Sequence, residues 1–296
     1  MNRKTIHAVI SKKMEDWIKT IEDESLRIAV RKDVIVTGGA IASMLLGERP
    51  KDFDVYFKAK DTTRRVAQYY VDTFNKAHGG PEDRFNAKVE EDNGRIRIMI
   101  KSAGVAAEDE NTLENPFEDV YDVLENADNT PAETLDDKPK YRPVFLSSNA
   151  ITLSDQVQIV VRFYGEPEEI HKNYDFVHCT NYWTFSGKTE LKANAMEALL
   201  NKELIYQGSR YPLCSVIRTR KFIQRGFRIN ACQYLKMCLQ ISDLDLNNIS
   251  VLEDQLIGVD SAYFNMLINS LKKKQEETPG FQYDQSYVAS IIDRIF

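Results

Sequence analysis

The chain has 296 residues, 43% of them apolar and 28% charged, with a formal net charge of −6. That is ordinary for a globular protein and long enough for one large core or two modest ones. No apolar run approaches the roughly 20 residues of a membrane span, residues 1–20 lack the apolar middle of a signal peptide, and the four cysteines (Cys179, Cys214, Cys232, Cys238) contain no CxxC pair, so a membrane helix and a cysteine-held zinc are excluded and a cytoplasmic protein with reduced thiols is expected.

In chain order, residues 11–31 carry Met14, Trp17, Ile18, Ile21, Leu26 and Val30 at helical spacing and are predicted to form one helix. "DVIVTGG" is predicted as a short β-branched strand stopped by glycine, "AIASMLLG" as a short helix ended by Gly47, and "DFDVYF" as the next strand. A helix capped by Asp61 runs to about His78 and is broken by "HGGPED". "RFNAKVEEDNGRIRIMIKSAG" reads as a hairpin turning at Asn93-Gly94. Residues 104–140 then hold twelve acids and two lysines, which leaves 37 bases against 33 acids elsewhere. The body is thus mildly basic and suits a phosphate-bearing ligand. The acidity lies in one segment with little apolar periodicity, expected to be a mobile insert open to a partner. "NAITLSDQVQIVVRFYG" reads as a second hairpin turning at Ser154-Asp155, "EPEEIHKN" as a helix and "YDFVHCTNYWTF" as a strand. From Lys188 onward the pattern is helical, over 190–202, 212–225, 230–240, 258–274 and 285–295. The expected organisation is an α+β domain over 1–186, then an all-helical domain over 187–296.

The window "TGGAIASMLLGERPKDFDVYF" carries the chemistry. Side chains two apart on a strand share a face, so Asp52 and Asp54 present four oxygens to one spot. Such oxygens suit magnesium, and two ions can clamp an in-line phosphoryl displacement. Gly38 and Gly39 let backbone amides approach phosphate oxygens at a helix N-terminus, with Ser43 as a further hydroxyl. The glycine pair and Asp-x-Asp resemble the signature of the nucleotidyltransferase superfamily named for DNA polymerase beta. With Leu45, Leu46 and Gly47, the string is most similar to the first motif of tRNA CCA-adding enzymes and bacterial poly(A) polymerases. The resemblance implies a mixed sheet flanked by helices, with nucleotide bound beside the glycine pair.

Such a pair is normally joined by a third carboxylate. Asp175 at the start of "DFVHC" is the choice, with Glu90 as runner-up and Asp155 read as a turn residue. In "YPLCSVIRTRKFIQRGFRI", Val216, Ile223 and Phe227 fall opposite Arg218, Lys221 and Arg225, so the apolar side is expected to pack and the basic side to face outward. This resembles the helix that follows the catalytic domain in eukaryotic-type poly(A) polymerases and cyclic-dinucleotide synthases, and it implies phosphate contacts from Lys221 and Arg218. The chain departs from the CCA-adding enzymes at Ala42, where they carry arginine, and in lacking their "RRDFTINA"-like motif and nucleotide-selecting arginine helix. CCA addition is disfavoured. His171 and His178 lack a ligand spacing, and "NYWTF" reads as sheet core.

The expected function is transfer of a nucleoside monophosphate from an NTP to an acceptor hydroxyl on RNA, tRNA, a protein or a nucleotide. Asp52, Asp54 and Asp175 would hold two magnesium ions. The alternative is a non-catalytic protein of the same fold that binds nucleotide, nucleic acid or a protein partner. Because residues 104–140 lack the apolar surface to offset their ordering entropy, replacing them with a short Gly-Ser linker should lower the melting temperature by less than about 10 °C in calorimetry. A larger fall would mean that the segment packs.

Overall fold

The stretch predicted as one helix over 11–31 folds as two, α1 (Arg3–Lys19) and α2 (Glu24–Asp33). The break is local chemistry: Asp23 takes an extended backbone and its carboxylate accepts from the Leu26 amide at 3.0 Å, capping a new helix. The apolar positions expected there are all buried, and Trp17 donates to the Tyr70 hydroxyl at 2.7 Å. The computed structural model describes residues 1–78, 85–92, 94–102, 139–246, 248–256, 271–278 and, near the C-terminus, 286–287, 289–290 and 293. All of the acidic stretch except Pro139 and Lys140 lies outside the described residues. So do most of the helices expected over 258–274 and 285–295.

After α2 come β1 (Val34–Thr37), α3 (Gly39–Leu46), β2 (Phe53–Phe57) and α4 (Lys60–His78). The hairpin of β3 (Phe85–Asp92) and β4 (Arg95–Ser102) follows, paired so that Asp92 faces Arg95 and Gly94 turns at φ +76°. β5 (Pro143–Leu146), which was not foreseen, then β6 (Ala150–Leu153) and β7 (Val157–Tyr164) continue the chain, with Asp155 and Gln156 turning left-handed at φ +61° and +60°. One six-stranded sheet runs β5-β6-β7-β2-β1 and ends in β8 (Tyr182–Thr184). It is mixed: β2 pairs parallel to β7, and its other neighbours are antiparallel.

One face of the sheet, through Val36, Val55, Phe57, Ile159 and Val161, packs under α1, α2 and α4 as the main core. The other face carries Ile35 and Tyr56 against Ile170 of the short helix α5 (Pro167–His171). The strand expected over "YDFVHCTNYWTF" is mostly absent. Asp175 sits in a bend, Phe176 makes one bridge to Tyr206, and Val177–Cys179 form a 3₁₀ turn before β8. Nearly every side chain from Asp175 to Thr184 is buried, so the segment lacks the in-out alternation of a half-exposed strand.

The described elements that follow are helical: α6 (Ala193–Leu200), α7 (Pro212–Gln224), α8 (Ala231–Ser242) and α9 (Ile249–Leu256). A mixed sheet flanked by helices, followed by a helical C-terminal part, is the architecture expected from the sequence. Phe176, Leu199, Phe227 and Met237 pack this part against Ala42 of α3. The faces of α7 are turned from the expectation. Val216 and Ile223 are exposed, whereas Arg218 and Arg225 point inward to acids near β1 and α3. Ion pairing with those acids outweighs the helix's own amphipathic pattern. Replacing the cap at Asp23 with alanine should remove about 1 kcal/mol and lower the melting temperature by about 2–4 °C, measured by circular dichroism.

Candidate functional site

β1 ends at Thr37, and Gly38 bends the chain at φ +95° into α3. A Cβ on Gly38 would lie 2.7 Å from the Asp54 Oδ2 atom and 3.3 Å from the Tyr174 hydroxyl. Glycine is required here on both counts, since the backbone is left-handed and the space is already filled by a carboxylate. At Gly39 a Cβ would meet nothing within 4 Å, so the first turn of α3 borders open space. Three strands align the row: Thr37 pairs with Asp54, and Asp54 pairs with Gln158. Asp52 lies just before β2, exposed to solvent.

The electrostatics follow from this packing. Burial, and next the nearby Asp52 charge, raise the Asp54 carboxyl to about 8, with Arg218 pulling the other way. Burial also lifts the Tyr56 and Tyr174 phenols well above their ordinary value and the Cys179 thiol with them. The Tyr174 hydroxyl is buried without a hydrogen-bond partner beside Asp54.

Two ion pairs join α7 to this end of the sheet. Arg218 Nη1 donates to Asp175 Oδ2 at 2.7 Å, and Arg225 donates to Ser43 Oγ at 3.0 Å and to Glu48. Lys221 lies exposed on the same helix. The expected groups are therefore distributed unevenly. Gly38, Gly39, Asp52 and Asp54 come together, and Ser43 is close to them on α3 but engaged by Arg225. Asp175 is 8% exposed and bound to Arg218. Glu90 is exposed on the separate β3–β4 sheet and pairs with Arg97 across that ladder. Among the described residues no three of His, Cys, Asp and Glu converge to hold a metal ion. The residue that the sheet places beside Asp54 on the next strand is Gln158. Sequence reasoning missed it because the parallel β2–β7 pairing joins positions about a hundred residues apart.

Both histidines flanking Asp175 serve the scaffold. Thr37 Oγ1 donates to the Asn181 carbonyl at 2.9 Å and so accepts from His171 Nε2 at 2.8 Å. Lys192 Nζ donates to His171 Nδ1 at 3.1 Å. That network requires the neutral Nε2–H tautomer, and burial, with Lys192 beside it, lowers the His171 pKa to about 3. His178 is 1% exposed between the rings of Phe222 and Phe227, at 4.6 and 4.8 Å, and both of its ring nitrogens lack partners. Burial lowers its pKa to about 4, against the pull of Asp175.

In the metal-free protein, Asp54 retains its proton up to about pH 8, whereas in the unfolded chain it ionises near the ordinary carboxyl value of 3.8. A raised carboxyl pKa stabilises the fold only below the unfolded value, and stability is lost as pH rises from about 4 to about 8. Asp54→Asn should therefore raise the melting temperature at pH 8 without divalent cations by at least about 2 °C and leave it nearly unchanged at pH 4. Scanning calorimetry at both pH values checks this, and equal shifts at the two would remove the raised carboxyl from the account.

A family model described as "Gabija anti-defense 2 family protein" matches residues 8–202. Among curated proteins, the "Gabija anti-defense 2" of Bacillus phage SPbetaL7 is 25% identical over 120 residues, which cover 38% of this chain. The match spans 28% of that relative's length. Among solved structures, the Thermotoga maritima CCA-adding enzyme complexed with tRNA is 12% identical, with a TM-score of 0.38 over 95% of this chain and 68% of that one. A tRNA nucleotidyltransferase complexed with a primer tRNA and an incoming ATP analog is 13% identical, with a TM-score of 0.36 over 87% and 62%.

Proposed function

The chain belongs to the Gabija anti-defense 2 family, and from that membership and the geometry around Gly38 we propose that it binds a nucleoside triphosphate and transfers the nucleoside monophosphate to an acceptor hydroxyl, as part of countering the Gabija defence. The observation that carries this reading is the close approach at Gly38. It brings the N-terminus of an eight-residue helix and the Asp54 carboxylate to one point, open to solvent beyond Gly39. Amides at a helix N-terminus favour phosphate oxygens, and a strand-borne acid pair favours a hard cation.

Asp52 and Asp54 suit magnesium as donors, since a cation between them relieves the repulsion that helps hold the Asp54 proton. When bound, magnesium supplies charge neutralisation and polarisation of phosphoryl oxygens. The protein's own groups do the positioning. The Gly39 and Ala40 amides face the phosphates, and Arg225 holds Ser43 and Glu48 so that α3 keeps its angle. Lys221 and Arg218 supply positive charge from α7. The acceptor hydroxyl gives up its proton to water, its oxygen bonds to the α-phosphorus as the bond to the bridging oxygen breaks, and pyrophosphate leaves with that electron pair. RNA, tRNA, a protein or a nucleotide are the acceptor classes that remain.

A second reading is favoured by two specific observations: Gln158 stands beside Asp54 where a third acid would complete the set, and Asp175 is tied to Arg218. A protein so equipped would bind nucleotide and act by binding alone. Incubation with labelled NTPs, magnesium and total RNA separates the two, since label moves to an acceptor only under the first. Under that reading Asp54→Asn abolishes transfer and Lys221→Ala raises the KM for NTP about tenfold, equivalent to about 1.4 kcal/mol. Nucleotide binding by calorimetry without any label transfer would favour the second reading. An unchanged KM in Lys221→Ala would move that side chain away from the phosphates.

A further inference from the structure

α8 buries Gln233 and Met237 and turns a different face to water. On that face Leu235 is 58% exposed and Leu239 62%, beside the half-exposed ring of Tyr234 and the exposed thiols of Cys232 and Cys238. The one charged residue of the helix, Lys236, donates to the Tyr206 carbonyl at 3.3 Å and to Gln233 at 3.1 Å, away from the leucines. On the neighbouring α7, Val216 and Ile223 are exposed as well. Scattered exposed leucines need no explanation, but a whole helix face without charge marks a contact surface.

We propose that this face is a homodimer interface, in which α8 packs antiparallel against α8 of a second copy about a two-fold axis. The face has no charge, so its own copy can meet it without like-charge opposition. Its ends are of opposite sign: Arg228 precedes the helix and Asp243 follows it, both exposed. An antiparallel pair sets Arg228 against Asp243 of the partner subunit at both ends of one contact, which is the self-complementarity that a two-fold interface requires. It also opposes the two helix dipoles. A parallel pair would set like charges together at each end. A twelve-residue helix is about 18 Å long. One helix face is a small contact beside the roughly 800 Å² per partner of a standard interface, so the association is weak and depends on concentration.

Sedimentation velocity on the full chain from about 1 to 100 µM, the range of a weak association, should show monomer passing into dimer. Leu235→Glu and Leu239→Glu should each weaken the dimer by at least about tenfold, with the melting temperature unchanged because both side chains already lie in water. Arg228→Asp alone and Asp243→Arg alone should each weaken it, and the double swap should restore it. A wild-type chain that stays monomeric to 100 µM overturns the proposal. So does a dimer that Leu235→Glu leaves intact, and so does a charge swap that fails to restore association.

Discussion

The contact between Gly38 and Asp54 organises the rest of the molecule. An acid on a central strand has been brought so close to the preceding strand's exit that no side chain fits at position 38. The bend at Gly38 starts α3 at that point, and α3 in turn fixes where Ser43 and Glu48 can meet α7. The half-buried Asp54 side chain lies against the Gly38 backbone, and low solvation is the largest cause of its raised proton affinity. The start of α3 and the weakened acid thus meet at one close contact.

Charge organises the next layer. Around the end of the sheet near α3 lie Glu48, Asp52, Asp54 and Asp175, and the helical part answers with Arg218 and Arg225. Surface ion pairs contribute little, but these sit at the junction between the sheet and the helices, where they set orientation. They also explain why α7 leaves Val216 and Ile223 in water: turning those side chains inward would carry two guanidinium groups away from their acids. Behind the junction, His178 is held neutral among Phe176, Phe222 and Phe227, an apolar seam that an added proton would disrupt.

The site is of mixed construction. Its floor is rigid, because Thr37 is tied to His171 and Asn181 and its strand is paired on both sides. Beside it stand two arginine side chains whose partners are themselves acids, so the Arg218 and Arg225 charges are already engaged before any ligand arrives. A phosphate group entering here would compete with Asp175 for Arg218, whichever of the two functional readings holds.

By itself the sequence determined the features that depend on neighbours along the chain: the glycine pair and the helix it begins, the stop at Gly47, and the turns at Gly94 and Asp155. These are legible because backbone torsion and side-chain alternation act over a few residues. Tertiary structure alone decided that Gln158 lies beside Asp54, that Asp175 sits in a bend and is claimed by Arg218, and that α7 turns its basic side inward. Each of these rests on residues tens of positions apart, where desolvation and ion pairing outweigh local pattern. The break at Asp23 lies between the two classes: an aspartate that reads as one more polar position on a helix became a cap because its carboxylate found the Leu26 amide.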